Sequence, residues 1–246
     1  MNTENTSEQS AVAAAVENLF VTVPETTLPN GTVVPAFQVA KYFASRGDDG
    51  QLVISATNKP LNYIDYHAAR QACIDAGFTL LTETQALAIA VNIAGVAANW
   101  SGGAVGEGDL LQGLHLDTDD VWEPYAGDTV SADPREARVF TLSNGEQIVD
   151  AAGNLYTWIF DDVQGDENGL VARPFAADSP SITSAPHPSM ERGVGWYPDA
   201  DTDWSGYALL RGGCWGSNDL AGVFLLDIDW PVYGNVVVGV RCTKGL

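Results

Sequence analysis

Basic residues are scarce in this sequence: 11 Lys and Arg stand against 32 Asp and Glu, giving a formal net charge of -21 over 246 residues. The only lysines, Lys41, Lys59 and Lys244, lie far apart. Gripping a nucleic-acid backbone needs clustered Lys and Arg, so no nucleic-acid partner is expected. The excess of carboxylates suits solubility, a salty habitat or cationic partners. Cysteine is scarce too. Three residues, Cys73, Cys214 and Cys242, are too few and of the wrong parity for a disulfide scaffold, and leave open one pair plus one free thiol. No apolar run approaches the roughly 18 residues of a membrane span. The opening MNTENTSEQS has neither a basic n-region nor an apolar h-region, so no secretory signal is read, and a virion or cell-surface destination by another route stays open. There is no G-x-S-x-G elbow and no glycine-rich phosphate loop. The three histidines, His67, His115 and His187, sit in separate segments and form no ligand cluster.

What is present suffices for a core. The hydrophobic share, 46%, is ordinary for a globular protein, and a chain of this length buries about 70 to 75% of its unfolded surface. Residues 1–19 read as a flexible tail, with an Ala-rich stretch at 11–16 that could form one or two helical turns. From Phe20 the alternation becomes strand-like, with a hairpin around Asn30 and Gly31. Residues 62–76 place Ile64, Ala68, Ala72 and Ala76 at helical spacing before Gly77. A second helix opens on a capping box, Thr82 with Gln85, and stops at Gly95. Beyond Asn99 the chain is rich in Gly, Asp, Pro and Trp, which implies long irregular loops around short strands, with 176–188 a surface excursion. Three strands are read at the C-terminus, in YALLRGGCW, AGVFLLDIDW and NVVVGVRC. One α+β domain over 20–246 accounts for this order.

Four segments resemble the C-type lectin fold of the formylglycine-generating-enzyme type. CIDAGFTLLTE (73–83) is similar to that family's helix and "LPTEAEW" signature, with Leu81 where Pro is usual and Ala86 where Trp is usual. GNLYTW (153–158) resembles "GNVWEW", RGGCW (211–215) resembles "RGGSW", and GVRC (239–242) resembles the closing "GFRC". The resemblance implies two helices packed on a small antiparallel sheet with long loops, and a bonded pair of Cys73 and Cys242. Independently, Gly212 and Gly213 permit positive φ, and Arg211 and Arg241 can pair bidentately with carboxylates. Together with Trp215 and Gly239 these residues read as scaffold. The family's copper-dependent oxidases carry two reactive cysteines just after "RGGSW", whereas 216–223 here reads GSNDLAGV, without the soft ligands that copper chemistry needs.

The segment 211–242 resembles the variable proteins of diversity-generating retroelements, in which asparagine codons mark sites rewritten by adenine-specific mutagenesis. Gly216, Ser217, Asp219, Leu220, Asp227, Asp229, Tyr233, Gly234, Val236 and Val238 fall at such sites, and Leu225, Trp230 and Val232 extend the set. An Asn codon cannot reach Trp by adenine change alone, so Trp230 has another parent codon or is fixed. Alternation puts 225, 227 and 229 on one face of a strand and 224, 226 and 228 on the other. The resemblance implies a non-catalytic protein displaying a diversified ligand-binding surface, with no cofactor. With no Lys or Arg between Gly212 and Val240, the expected ligand is a protein or peptide with a neutral to basic epitope. Two readings stand beside it: a metal-dependent oxidase of the formylglycine-generating type with relocated ligands, and a fixed-specificity viral or surface attachment module. The run Asp199, Asp201, Asp203 leaves calcium open, although it lacks the Gly and distal Glu of an EF-hand loop.

Overall fold

The structure, a computed structural model, describes residues 19–116, 122–133 and 135–246. Apart from Leu19, the expected tail over 1–19 lies outside the described residues. Strands β1 (Phe20–Val23), β2 (Thr26–Thr27), β3 (Val33–Val34), β4 (Phe37–Ala40), β5 (Ala44–Arg46) and β6 (Leu52–Ile54) precede helix α1 (Tyr66–Asp75). There follow β7 (Thr79–Leu80), α2 (Glu83–Ala94), β8 (Val139–Thr141), β9 (Gln147–Val149), β10 (Tyr156–Ile159), α3 (Pro180–Thr183), β11 (Ala208–Gly212), β12 (Gly222–Asp229), β13 (Val238–Gly239) and β14 (Cys242–Lys244). The class is α+β.

Side-chain caps decide where the helices start. Thr82 and Gln85 form the expected reciprocal capping box on α2, which ends at Gly95. Helix α1 begins at its Asp65 cap, whose side chain accepts from the Ala68 amide, so residues 62–64 are loop instead of helix. Its buried stripe is Tyr66, Ala69 and Cys73, not the expected Ala68 and Ala72. The reason is size: the face carrying the Tyr66 ring and the Cys73 thiol hides more apolar surface than a face of alanines.

Two four-stranded sheets, ordered β1-β4-β14-β7 and β12-β11-β10-β13, replace the single small sheet expected, and β13 runs parallel to β10. The last expected strand is therefore two. Around Val240 and Arg241 the chain leaves one sheet and enters the other. Helix α2 is wedged between the sheets, with Leu87 and Ile93 packed in one cluster with Val23 of β1 and Phe224 and Leu226 of β12. A second cluster gathers Tyr66 and Cys73 of α1 with Trp158, Leu210, Val240 and Cys242. The Asn30-Gly31 hairpin joins β2 to β3 as read from sequence. Residues 176–188, expected as a surface excursion, contain α3, whose Ser181 is buried.

Buried arginines tie these layers together. Arg211 Nε donates to Glu83 Oε2 at 3.0 Å, Arg211 Nη2 pairs with Glu83 Oε1, and further bonds reach the carbonyls of Ser181 and Phe224. Arg241 departs from the expected carboxylate pairing. Its guanidinium donates to the carbonyls of Ala40 (2.8 Å), Val149 (2.7 Å) and Asp150 (2.9 Å) and lies over the Phe43 ring. Asp150 itself is taken by Arg138, at 2.7 Å through Nε. The Cys73 and Cys242 sulfurs, both buried, lie 3.2 Å apart, so the two residues expected as a pair are brought side by side.

Two stability predictions follow from these buried charges. Arg211→Met leaves Glu83 enclosed without a partner, and urea unfolding should register a loss of about 3 to 5 kcal/mol. Asp161 is the second case: one oxygen accepts from the Val163 and Gln164 amides, and the other, Oδ2, has no partner. Burial, reinforced by the negative charges of Glu83 and Asp162, raises its carboxyl to about 6. The folded state thus holds a proton that the unfolded chain releases near 4. The stability this proton provides is complete below that value and is lost as pH rises through about 6. Asp161→Asn should therefore gain on the wild type steadily between pH 4 and 6.5, then keep a constant lead; parallel pH profiles would contradict this.

Candidate functional site

The segment from Arg211 to Cys242 alternates between enclosed and open stretches. Gly212 and Gly213 have φ of 93° and 86°, the left-handed backbone for which glycine is needed, and the register shifts between Arg211 and Gly212. A one-turn 3-10 helix, Asn218–Leu220, follows. It is pinned from both sides, by the Asn218 amide on the His115 carbonyl at 2.7 Å and by the Trp196 amide on the Leu220 carbonyl at 2.9 Å. Strand β12 would be an open sheet edge, but residues 194–196 cover it: the Phe224 amide donates to Val194 and the Leu226 amide to Trp196. The segment then turns at 230–237 before β13.

Burial divides the thirteen positions singled out by sequence. Gly216, Asp219, Leu220, Trp230, Val232, Tyr233 and Gly234 are exposed, and Asp227, Asp229 and Val236 are half-buried. Ser217, Leu225 and Val238 are buried, which removes them from any display surface. Ser217 folds inward because its hydroxyl accepts the Cys214 amide at 2.8 Å and donates towards the Tyr156 hydroxyl at 3.3 Å. Leu225 fails the simple alternation because the bulged start of β12 presses it against Gly195. Gly234 is exposed yet confined, since a Cβ there would run into the carbonyl oxygen of Tyr63. The scaffold residues Arg211, Gly212, Gly213, Trp215, Gly239 and Arg241 are all buried.

Tyr156 joins the two open stretches. Its hydroxyl meets Ser217 on one side and Asp227 on the other, and burial pushes it up to about 12. Burial likewise raises the Asp227 carboxyl, with Asp229 adding to the effect. Sequence reading missed Tyr63 and Tyr207. Tyr207 stacks on Trp230 with ring centroids 4.3 Å apart, and Tyr63 sits beside Gly234. The signal for Tyr63 was the Asp65 cap, which places the preceding aromatic in a loop.

Among the described residues no group of three or more His, Cys, Asp and Glu is placed to hold a metal ion. His67 lies on α1, His115 Nδ1 is 2.8 Å from the Gly113 carbonyl, and the His187 ring meets Trp100 edge-on. Asp203 Oδ1 is engaged by Ser205. The hydrogen bond it shares with Cys73, with burial, raises the Cys242 thiol, which is the wrong direction for a nucleophile. No helix among the described residues is long and apolar enough to cross a membrane.

No family model matches the sequence, and no curated protein matches it. Among solved structures, the chain is similar to Treponema denticola variable protein 1, at 13% identity over 91% of this chain and 90% of that one, with a TM-score of 0.49. It is similar to PvdO from Pseudomonas aeruginosa at 13% identity over 92% of each chain, TM-score 0.42. It is also similar to the U1 variant of the Major Tropism Determinant, at 16% identity over 85% of this chain, TM-score 0.42. The chain spans half the length of that determinant, 50%.

The inward turn of Ser217 separates it from its neighbours. Ser217→Ala removes the hydroxyl that accepts the buried Cys214 amide and should lower unfolding free energy by about 1 to 3 kcal/mol. Asp219→Ala, two residues on and exposed, should stay within about 0.5 kcal/mol of wild type in the same urea titration.

Proposed function

We propose that this chain is a non-catalytic ligand-binding protein that displays a diversified surface on a C-type lectin scaffold of the formylglycine-generating-enzyme type. One observation carries the reading. Within a single segment, most of the Asn-like positions are open or half-open, while the framework motifs around them are buried and held by Arg211 and Arg241. Side chains at 216, 219, 220, 227, 229, 230, 232, 233 and 236 can then change with little effect on the core. Gly234 is excluded by its contact with Tyr63, and Ser217, Leu225 and Val238 by burial.

The ligand is a protein or peptide with a neutral to basic epitope. Asp219, Asp227 and Asp229 make the segment acidic, and it carries no Lys or Arg between Gly212 and Val240. Nucleic acid is disfavoured by the same acidity. A patch this small draws its affinity from a few anchors, and the exposed rings of Trp230 and Tyr233 are suited to that work. Presentation on a virion or cell surface fits a protein of this kind.

The test is genomic. Sequencing around the gene should reveal a second, non-coding copy of the codons for 211–242 beside a reverse transcriptase, with differences confined to adenines of that copy. Differences falling mainly on the codons of Gly212, Gly213, Phe224, Leu226 or Gly239 would overturn the reading, as would the absence of any such copy.

A further inference from the structure

Four of the most exposed large apolar side chains gather at one corner: Tyr63 (69% exposed), Val232 (63%), Tyr233 (62%) and Trp230 (51%). Three belong to the C-terminal turn. Tyr63 belongs to the loop between β6 and α1, and backbone geometry shows why it is there. The Tyr63 amide donates to the Asn235 carbonyl at 3.0 Å, Asn62 Nδ2 donates to the Val236 carbonyl at 3.0 Å, and the Tyr66 amide donates to the Pro231 carbonyl at 3.2 Å. The Trp158 indole holds the same loop from below through the Ile64 carbonyl at 2.9 Å. Loop and turn are thus one rigid unit. Its clamps are mostly backbone groups, so they survive side-chain changes in the turn.

Tyr63 also holds a backbone that tyrosine disfavours, φ 53°, where Asn or Gly would sit more easily. The fold therefore places a large ring, outward and unburied, where a small residue would be the more stable choice. Charge identifies what would meet it. Asp65 caps α1 two residues along, Asp229 precedes Trp230, the turn at 230–237 carries no basic residue, and the loop carries one, Lys59. Lys59 is paired with Glu123, and the Arg70 guanidinium lies 5.0 Å from the centre of the Phe160 ring. Aromatic faces beside carboxylates are the usual recognition chemistry for an ammonium or guanidinium group.

We propose that Tyr63 is a fixed wall of the ligand surface, and that with Trp230, Tyr233 and the carboxylates of Asp65 and Asp229 it receives an arginine or lysine side chain of a protein partner. The inference rests on the display reading above but concerns a residue outside the segment that reading describes. Its specificity would persist while the turn varies.

A random dodecapeptide library displayed on phage, panned against the whole protein, is the probe. Enrichment of Arg- or Lys-containing peptides is expected, with recovery falling at least tenfold in 0.5 M salt. Tyr63→Asn removes the ring and suits the positive φ, so its melting temperature should match or exceed that of the wild type, while binding of the enriched peptides drops at least tenfold; Tyr63→Phe should retain them. Peptides that tolerate Tyr63→Asn but are lost on Tyr233→Ala would overturn the role of Tyr63 and leave the display reading standing. Peptides indifferent to Tyr63→Asn, Trp230→Ala and Tyr233→Ala alike, or no enrichment over an uncoated surface, would overturn both. Enriched peptides without Arg or Lys would overturn the proposed ligand class.

Discussion

A guanidinium enclosed by protein must find acceptors for its N–H groups, and Arg211 finds them on three other elements at once. Glu83 comes from the first turn of α2, the Ser181 carbonyl from α3, and the Phe224 and Leu225 carbonyls from β12. Removing two charges from water is expensive, and their mutual attraction offsets it only when the remaining hydrogen-bonding groups are also satisfied. That condition is demanding, so it fixes where α2, α3 and β12 stand relative to β11. The pair contributes register more than net stability. Arg241 imposes a similar constraint at the other end, with carbonyls around β4 and β9 as its acceptors. The two arginines bracket the segment between them.

Between those brackets, what is free follows from what the backbone needs. An unpaired edge on β12 would be a template for association with other strands, and residues 194–196 remove that hazard by pairing with it. Covering the edge also encloses the side chains at the start of β12. Exposure is left to places where the chain reverses, at 216–220 and 229–236. There, apart from Ser217, Pro231 and Gly234, side chains are exposed or half-exposed and substitutions alter little packing. The separation of stable framework from open surface is thus a consequence of sheet pairing, not of the composition of either part.

Much of this was legible beforehand because it is written in local chemistry. The Thr82 and Gln85 capping box, the Asn30-Gly31 turn and the paired glycines at 212 and 213 each require particular residue types at particular spacings. What the sequence hid depends on distant partners. Leu225 looked like a face-mate of Asp227 and Asp229, but the register shift after Arg211 and the contact with Gly195 bury it. Ser217 looked like a diversified surface position because nothing local reveals that Cys214 and Tyr156 claim its hydroxyl. On α1, an alanine stripe was preferred to the stripe actually buried because Trp158, which packs against Tyr66, is distant in sequence. The split of the last strand between two sheets was equally invisible, since 238–239 and 242–244 find different neighbours.

The turn at 230–237 shows how such a surface can vary without losing its shape. Three hydrogen bonds attach it to the loop before α1 and to the first residue of that helix, and in each the acceptor is a main-chain carbonyl of the turn, at Pro231, Asn235 and Val236. A carbonyl is supplied by every residue type, so these clamps are indifferent to the side chain that sits above them. Gly234 is the exception, because there the main chains approach so closely that no side chain fits. A pattern with variation at 230, 232 and 233 and a fixed small residue at 234 is what this geometry demands of any set of sequences sharing the turn.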